Sequence, residues 1–400
     1  MSSGLIAEID WSDPLTSHVP DTAVIRNARH LSSYSWLDRP SATIAVPGSP
    51  PLWTGLKSRK KLKKDSGLFY INQNQARHPE SPLEPLFCAL YLEIPSFDIR
   101  SVDVVTDRNN IRKLLAFLNP PLNPSDDEPF TIDVEIIGTT TLFRRDGKAT
   151  TRFIAPNQSR GFGHAFEKEY NKSQVHGSTG HHRIISYEFG GLNFLVRYEA
   201  DGYVATETFD ATTTQEEQEN SLVASMDNLS FSPTRATSNL QPVPSSLGIR
   251  REGRTVPLNS ILEIKTRSQH RPLSIHDVAP QLWVSQTFNL VRAYHEKGYF
   301  QVPKVENVAS ELHEWEKINQ DDLKRLASLF RMISNLTMRS GGKSIVKYEP
   351  GKKLALYKTD RKDMLPHSWY AKWREGDDTQ VTAKSDTHPT VDVSDKLVDE

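Results

Sequence analysis

Four charged residues stand in two short pairs whose types and spacing suit phosphoryl chemistry. Glu199 and Asp201 follow one apolar run, and Glu263 and Lys265 lie within another. One residue separates the members of each pair, so a strand directs both side chains to the same face. If the two strands adjoin, three carboxylates and one ammonium converge. Like charges at such distances repel by several kcal/mol, which favours a divalent cation between them.

The expected chemistry is hydrolysis of a phosphodiester or a pyrophosphate. Hard oxygen ligands suit Mg²⁺ or Mn²⁺. Either cation polarises a phosphoryl oxygen and lowers the pKa of a bound water, while the Lys265 ammonium offsets developing negative charge. The alternative is that Glu-Ile-Lys is a solvated strand edge. The apolar neighbours Leu262 and Ile264 favour the site. Charged side chains within a core-like strand are costly to bury unless they are paired or bind a metal.

These residues must be positioned by strands and helices, and the apolar patterns of the sequence predict an α+β fold with central mixed β-sheets flanked by helices. Period-two apolar patterns and turn residues predict strands, namely at 130–137, 183–189, 192–198, 260–265, 290–295, 346–348 and 354–357. Apolar residues at helical spacing predict helices, namely at 109–118, 163–170, 277–290 and 310–336. Gly190-Gly191 is a strong hairpin signal between two of the strands.

Composition along the chain predicts one domain with irregular additions. We expect residues 1–65 to form an irregular, partly disordered N-terminal arm, and residues 66–375 to form a single domain. The polar segment 207–252 is predicted to be a disordered insertion within that domain, and residues 376–400 a disordered tail. The basic run between Lys57 and Lys64 is either a solvated loop or a patch for nuclear import or phosphate contact.

Charge, cysteine content and hydropathy narrow the class of protein. The net charge of -1 gives no global positive field, so any contact with nucleic acid needs local basic patches. Cys88 is the single cysteine, which excludes an intrachain disulfide and favours a structural thiol. No stretch approaches the roughly 20 consecutive apolar residues of a membrane span, and no secretory signal is visible. We expect the nucleus or the cytoplasm and no membrane partner.

The order of motifs resembles the eukaryotic mRNA-decapping nuclease family, which includes the activator of the nuclear 5′-3′ exoribonuclease and the decapping exoribonucleases. The resemblance runs from about residue 97 to 302. The matching segments, in chain order, are Val102 to Arg108, Gly163 to Glu167, Glu199 to Asp201, Glu263 to Thr266, and Leu282 to Gln286.

This resemblance implies a role for each matching position. Glu167, Asp201 and Glu263 would bind the metal, with the backbone carbonyl of Ile264 adjacent. Glu199 completes the acidic cluster. Lys265 and Gln286 would hold the attacking water or the scissile phosphate, and Arg108 would contact substrate phosphate. The implied substrate is the 5′ end of RNA, cleaved by decapping, by 5′ pyrophosphohydrolysis or by 5′-3′ exonuclease action.

Each role has a structural alternative. Glu167 on a helix face can be simply solvated, Arg108 can pair with Asp103 or Asp107, and Gln286 can cap a helix. His181-His182 suggests a metal pair, but a turn is the preferred interpretation because neighbours on a strand point to opposite faces.

Two other functions stay open. Asp107 and Asn109 flank Arg108, where the family has Trp and Gly. This difference motivates the main alternative, a non-catalytic adaptor that binds and stabilises a 5′-3′ exoribonuclease. A related nuclease acting on DNA is the third hypothesis.

Overall fold

The computed structural model describes residues 4–12, 21–55, 58–120, 127–147, 149–156, 158, 161–205 and 245–374. In chain order the α-helices are α1 (Gln73–Arg77), α2 (Glu84–Glu93), α3 (Arg108–Leu118), α4 (Gly163–Tyr170), α5 (Ile275–Ser285), α6 (Ala309–Ile318) and α7 (Gln320–Arg339).

The strands are β1 (Leu5–Ile9), β2 (Ile25–Leu37), β3 (Thr43–Gly48), β4 (Leu52–Trp53), β5 (Lys60–Lys61), β6 (Gly67–Tyr70), β7 (Val104–Asp107), β8 (Phe130–Ile137), β9 (Thr140–Asp146), β10 (Thr151–Ile154), β11 (Asn171–Lys172), β12 (Ser178–Phe189), β13 (Leu192–Glu199), β14 (Gly202–Tyr203), β15 (Gly248–Gly253), β16 (Ile261–Ser268), β17 (Asn289–Glu296), β18 (Tyr299–Phe300), β19 (Val305–Asn307), β20 (Lys343–Tyr348) and β21 (Leu354–Lys358).

Two large sheets organise the molecule. The 11-stranded sheet has the order β1-β21-β20-β8-β9-β7-β13-β12-β2-β3-β15, and it is mixed because β7 runs parallel to both β9 and β13. The eight-stranded sheet has the order β11-β4-β14-β16-β17-β18-β5, with β19 paired to β17. A third, two-stranded sheet joins β6 and β10. The predicted α+β class with mixed sheets is confirmed.

Helices cover both faces of the 11-stranded sheet. One apolar core contains buried side chains of α3, α5, α6 and α7, for example Leu114, Trp283 and Phe330. The other contains α2 and a short 3₁₀ helix at His367–Trp373, with Phe87 and Trp369 at its centre. Both cores bury large apolar areas, the main favourable term in folding. Among the described residues, no helix is long and apolar enough to cross a membrane.

The predicted irregular N-terminal arm is wrong for most of its described residues. β2 spans 13 residues and pairs with β12 in the large sheet, and β3 follows it. The serines of β2 interrupt its apolar pattern, so the sequence did not predict this strand. Ser32 and Ser33 are nevertheless buried, and their hydroxyls donate to the backbone carbonyls of Ala89 (2.8 Å) and Pro47 (2.8 Å). A buried hydroxyl with a hydrogen-bond partner is tolerated in a core.

The basic run lies partly in a strand. Lys60 and Lys61 form β5, which pairs with β18. Lys60 pairs with Glu169, and the Lys61 ammonium lies 4.9 Å from the centre of the Tyr299 ring. These lysines therefore have protein contacts, and Lys57 lies outside the described residues.

The predicted insertion is too long at its carboxyl end. Residues 248–253 form β15, which pairs parallel with β3 at the edge of the large sheet, with Ile249 buried. The part of the insertion at 207–244 and the predicted tail at 376–400 lie outside the described residues.

One predicted helix is two. The amphipathic segment 310–336 divides at Asn319, which ends α6 and begins α7. Trp315, Leu326, Phe330 and Ile333 are buried as predicted, whereas Ile318 is 66% exposed. The break turns the apolar face of α6 toward Trp283 of α5, whose ring lies 5.7 Å from that of Trp315.

Candidate active site

The acidic residues gather where the chain passes from one large sheet to the other. β13 ends at Glu199 in the 11-stranded sheet, and β14 begins at Gly202 in the eight-stranded sheet. β14 pairs antiparallel with β16, with Gly202 opposite Leu262. The Glu-x-Asp and Glu-x-Lys segments therefore meet through β14, and not through direct pairing of β13 with β16.

Asp201 is fixed from two sides in this crossing. Its carboxylate accepts a hydrogen bond from the backbone N–H of Ile264 at 2.8 Å, and its backbone carbonyl accepts one from the Asn171 amide at 2.9 Å. These bonds tie the crossing to β16 and β11. The predicted neighbourhood of Asp201 and Ile264 is present, and the contact uses the Ile264 N–H.

Glu263 is the most enclosed carboxylate of the cluster, with 2% of its surface exposed. It accepts hydrogen bonds from the Lys265 ammonium at 2.5 Å, the Arg108 guanidinium at 3.2 Å, and the Gln281 amide. A buried carboxylate is stable only when it is paired and hydrogen-bonded in this way. Both predicted members of the Glu-x-Lys pair therefore lie in one network.

Glu167 reaches the cluster from α4, which is held in the core by Phe166. Glu167, Glu199 and Asp201 line a cleft of about 520 Å³. His164 also lines this cleft, and its ring stacks on Phe69 with the ring centres 4.1 Å apart. The cleft is thus acidic on one wall and aromatic at its edge.

The electrostatics separate Glu263 from the other three carboxylates. Loss of hydration raises the pKa of Glu167, Glu199 and Asp201, and the negative charges of neighbouring carboxylates raise each further. Burial also opposes ionisation of Glu263, but the charges of Lys265 and Arg108 outweigh it and lower its pKa. The charge of Lys265 or Arg108 lowers the pKa of each of these three groups, but by less than burial and the neighbouring carboxylates raise it, so the nearby positive charge is too small to favour ionisation.

The chemistry of this donor set fits a divalent cation. Carboxylate oxygens are the ligands that Mg²⁺ and Mn²⁺ prefer, and a bound cation would supply the missing positive charge. However, within the ranges that the structure describes, no three His, Cys, Asp or Glu side chains converge closely enough to hold a metal ion. Glu167, Glu199 and Asp201 line one cleft and Glu263 lies beside them, but the described donor side chains are not arranged around one point.

Of the predicted phosphate-contacting residues Arg108 and Gln286, only Arg108 contacts the acidic cluster. Arg108 is the first residue of α3 and joins the cluster, bonding Glu263 and the backbone carbonyl of Glu199 at 3.2 Å. The alternative pairing with Asp103 or Asp107 is therefore not the one that the guanidinium adopts. Gln286 instead ends α5 in a left-handed conformation (φ 51°), and its amide donates to the Trp283 carbonyl at 2.6 Å. The capping alternative describes Gln286, and Gln281 supplies the amide at Glu263.

The two adjacent histidines are neither a metal pair nor a turn. They lie within β12 and are buried, and burial lowers the pKa of each, which keeps both rings neutral. His181 Nδ1 shares a hydrogen bond with the Ser35 hydroxyl at 3.0 Å, whereas His182 lies 3.2 Å from the Gln73 amide. Their side chains follow opposite faces of the strand, as its period requires.

Several residues near the cluster carry no motif and were not predicted. Gln281 is buried on α5 one turn before its end, where spacing alone indicates only a core position. Arg112 and Arg145 line a second cavity that also contains Arg108 and Glu199. The spacing of Arg108 and Arg112, four residues apart on a helix, could have indicated a shared face.

Comparisons with known proteins agree with this architecture. A family model described as "Domain of unknown function (DUF8563)" matches residues 18–360. No curated protein sequence matches the chain.

Solved structures of Rai1 from two yeasts share the fold. Scheffersomyces stipitis Rai1 has a TM-score of 0.53 at 13% identity, over 91% of this chain and 97% of that one. Its complex with (3'-NADP)+ and calcium ion has a TM-score of 0.52 at 11% identity, over 90% and 93% of the two chains. A mutant S. pombe Rai1 in complex with 3'-FADP has a TM-score of 0.52 at 12% identity, over 88% and 99%. At identities this low, the structural similarity establishes a common fold. That fold agrees with the family resemblance seen in the order of the motifs.

Proposed function

We propose that this chain, which belongs to the family described as Domain of unknown function (DUF8563), is a metal-dependent hydrolase of RNA 5′ ends. The segment that matches the family model contains the whole acidic cluster. The observation that carries this proposal is the cleft at the sheet crossing, where Glu167, Glu199 and Asp201 adjoin the Glu263–Lys265 pair. The fold shared with Rai1, and the calcium ion bound by the S. stipitis protein, support it.

Glu167, Asp201 and Glu263 would hold Mg²⁺ or Mn²⁺, with the backbone of Ile264 alongside and Glu199 beside them. When bound, the cation supplies Lewis acidity and a more acidic water. Lys265 is placed to offset negative charge on the reacting phosphate, because its ammonium already lies in the cluster. Arg108 would orient a phosphate oxygen with a guanidinium that is largely buried and anchored to Glu263.

The deciding experiment follows hydrolysis of 5′-triphosphorylated and capped RNA oligonucleotides with Mg²⁺ or Mn²⁺. We expect product from the wild type and at least a hundredfold less from Glu263→Gln, which keeps the shape of the side chain but removes its charge. Glu188→Gln, on an exposed position of β12, is the matched control and should stay active. Equal rates for the wild type and Glu263→Gln would refute the mechanism.

One observation favours a second function, a non-catalytic adaptor for a 5′-3′ exoribonuclease. Glu263 already has three side-chain partners, and the described donors are not arranged around one point. An adaptor would give no product under any metal, yet would raise the thermal stability or rate of an added 5′-3′ exoribonuclease. Absence of any effect on the exoribonuclease would count against it.

A further inference from the structure

A second cavity opens on the other side of Glu199 from the acidic cleft. It has a volume of about 180 Å³ and is lined by α1, by the first two turns of α3, by the end of β9, by β12 and by the end of β13. Four arginines line it, namely Arg108 and Arg112 from α3, Arg145 from β9, and Arg197 from β13, which is paired with Asp107. We call it the arginine cavity. Glu199 lines both cavities, so the two lie side by side.

The guanidinium groups of Arg112 and Arg145 have no carboxylate in direct contact among the described residues. Arg112 Nε is buried and has no hydrogen-bond partner there. Arg145 donates to the neutral backbone carbonyl of Ile71 at 2.9 Å. Burial lowers the pKa of both groups, and the nearby charge of Arg108 lowers that of Arg112 further. Both side chains are half-buried, and a half-buried cation without a carboxylate partner is only partly compensated, so an anion at this place would be stabilised.

The carboxylates whose charges act on Arg112 and Arg145 are Asp107, Glu128 and Glu263, and each is already engaged with another cation. Asp107 holds the buried Arg197 through two hydrogen bonds, of 2.7 and 3.0 Å. Glu128 lies 2.5 Å from the Lys113 ammonium and its side chain is 70% exposed. Glu263 holds Arg108 and Lys265. The charge of Arg112 and Arg145 is therefore the least compensated part of the cavity.

The start of α3 adds to this positive potential. Asp107 precedes the helix, but its side chain makes no capping bond because it binds Arg197. The free N–H groups of a first helical turn favour anions, and phosphate above all. Asn72 and Asn109 also line the cavity and provide neutral donors.

We propose that the arginine cavity binds the terminal phosphates of a 5′-phosphorylated RNA, with Arg112 and Arg145 as its specificity residues. This inference rests on the proposed function and names the class of 5′ end. A terminal phosphate monoester carries about -1.5 to -2 charges at pH 7, and an internal phosphodiester only about -1. Several guanidiniums in one small cavity match the larger charge. The cavity is smaller than the roughly 300–1,000 Å³ that holds a drug-sized ligand, which suits a phosphate group better than a nucleoside.

The test measures binding without hydrolysis. Fluorescence anisotropy in EDTA would compare one RNA sequence bearing a 5′-triphosphate, a 5′-monophosphate or a 5′-hydroxyl. We expect the full chain to bind the triphosphate at least tenfold more tightly than the hydroxyl, with the monophosphate between them. Inorganic tripolyphosphate should displace the triphosphate RNA.

The double variant Arg112→Gln with Arg145→Gln should bind all three RNAs as weakly as the wild type binds the 5′-hydroxyl form. Each single variant should lose part of the difference, which covers the case in which the double variant folds poorly. The matched control replaces two exposed arginines on β2 and β15, Arg26→Gln with Arg250→Gln, and changes the net charge equally. It should keep the preference.

The possible results separate this inference from the proposed function. A preference for the triphosphate that the cavity variants abolish supports the inference, even if no RNA is hydrolysed. No preference in the wild type, or equal weakening of all three RNAs by the cavity variants, overturns it and assigns the cavity to internal phosphates or to no phosphate. Hydrolysis by the wild type would then still support the proposed function.

Discussion

At the scale of single residues, the acidic cluster combines two kinds of carboxyl group. Glu263 has its cations in place, whereas the Asp201 carboxylate is held by the neutral N–H of Ile264. The lowered pKa of Glu263 keeps its carboxyl group ionised across the physiological pH range. The raised pKa of Asp201 favours its protonated form unless another cation binds nearby. A site of this kind links metal binding to proton release.

Thermal stability without metal should fall as the pH rises from about 7 toward the raised pKa of Asp201, about 8. Burial and the charge of Glu263 raise the pKa of Asp201 from 3.8 to about 8. Between these values the folded state binds more protons than the unfolded state, so the free energy of unfolding decreases with increasing pH. The pKa of Glu263 is lowered, and its contribution changes only at more acidic pH.

Thermal unfolding in EDTA from about pH 7 to 8.5 measures this effect, and a fall of a few degrees is expected for the wild type. Below about pH 7 the lowered pKa of the buried His181 and His182 acts in the opposite direction, because the unfolded state then binds more protons at these residues. Asp201→Asn should have a flatter profile. Mn²⁺ should raise the melting temperature more at the alkaline end. A wild-type profile as flat as that of Asp201→Asn would contradict the assignment.

A second prediction at this scale concerns the buried pair of Asp107 and Arg197. Arg197 is 2% exposed and also donates to the Pro82 carbonyl at 2.7 Å. Asp107→Asn leaves its charge without a counterion, which should cost about 3–5 kcal/mol of unfolding free energy. The exposed pair of Asp98 and Arg100 is the control, and Asp98→Asn should cost at most about 1 kcal/mol. Urea unfolding compares them, and similar losses would argue against a structural role for the Asp107 carboxylate.

The residue types of the cluster were predictable, but their neighbours were not. The two-residue spacing identified Glu199, Asp201, Glu263 and Lys265, because strand periodicity is local. Gln281 could not be chosen over Gln286, since both lie near the end of one helix and only the direction of that helix over β16 decides which reaches Glu263.

At the scale of elements, β12 forms part of the wall beside Glu199. Gly180 has no side chain where a Cβ atom would lie 2.3 Å from the Gln73 amide oxygen and 3.0 Å from a Glu199 carboxylate oxygen. Gln73 is buried and is bonded to Thr179 at 2.9 Å, so it has little room to yield. This glycine therefore permits the close approach of α1 to the site.

Gly180→Ala should accordingly displace Gln73 or Glu199 and reduce kcat/KM for 5′-triphosphate RNA by about tenfold or more, as expected for small displacements of catalytic groups. Gly147→Ala is a suitable control, because its Cβ would meet its nearest atom at 3.6 Å. The circular dichroism spectra of both variants should match that of the wild type. Full activity of a folded Gly180→Ala would show that the close approach of Gln73 does not position the site.

Elements were predicted where apolar periodicity is strong and missed where polar groups replace it. The hairpin of β12 and β13 at Gly190-Gly191 is confirmed, and so is the existence of α3 and α4. β2 and β15 were missed because serine and arginine interrupt their apolar pattern, and their burial depends on partners far along the chain. The division at Asn319 was missed because both helices have apolar faces.

At the scale of the whole molecule, the site depends on two sheets meeting at one crossing of the chain. Neither sheet alone contains the cluster, since Glu199 belongs to one and Glu263 to the other. Sequence patterns predicted the sheets as elements but not their strand order, which is set by contacts between distant segments. The site could therefore be predicted as a set of residues, and the arginine cavity beside it could not.

The net charge of -1 leads to a prediction about salt dependence. Without a global positive field, the affinity for RNA should depend on the few phosphates that local arginines neutralise. The logarithm of the binding constant for 5′-triphosphate RNA should fall linearly with the logarithm of salt concentration. Removing Arg112 and Arg145 should make the slope shallower by about 0.7 for each phosphate that the protein no longer neutralises.

Anisotropy titrations at several salt concentrations in EDTA would give these slopes. The control with Arg26→Gln and Arg250→Gln has the same net charge as the cavity variant, so it should keep the wild-type slope if local arginines dominate. The 5′-hydroxyl RNA should show the same slope with wild type and cavity variant, because it lacks the terminal phosphates. If both double variants changed the slope equally, overall charge would govern binding and the arginine cavity would have no special part in it.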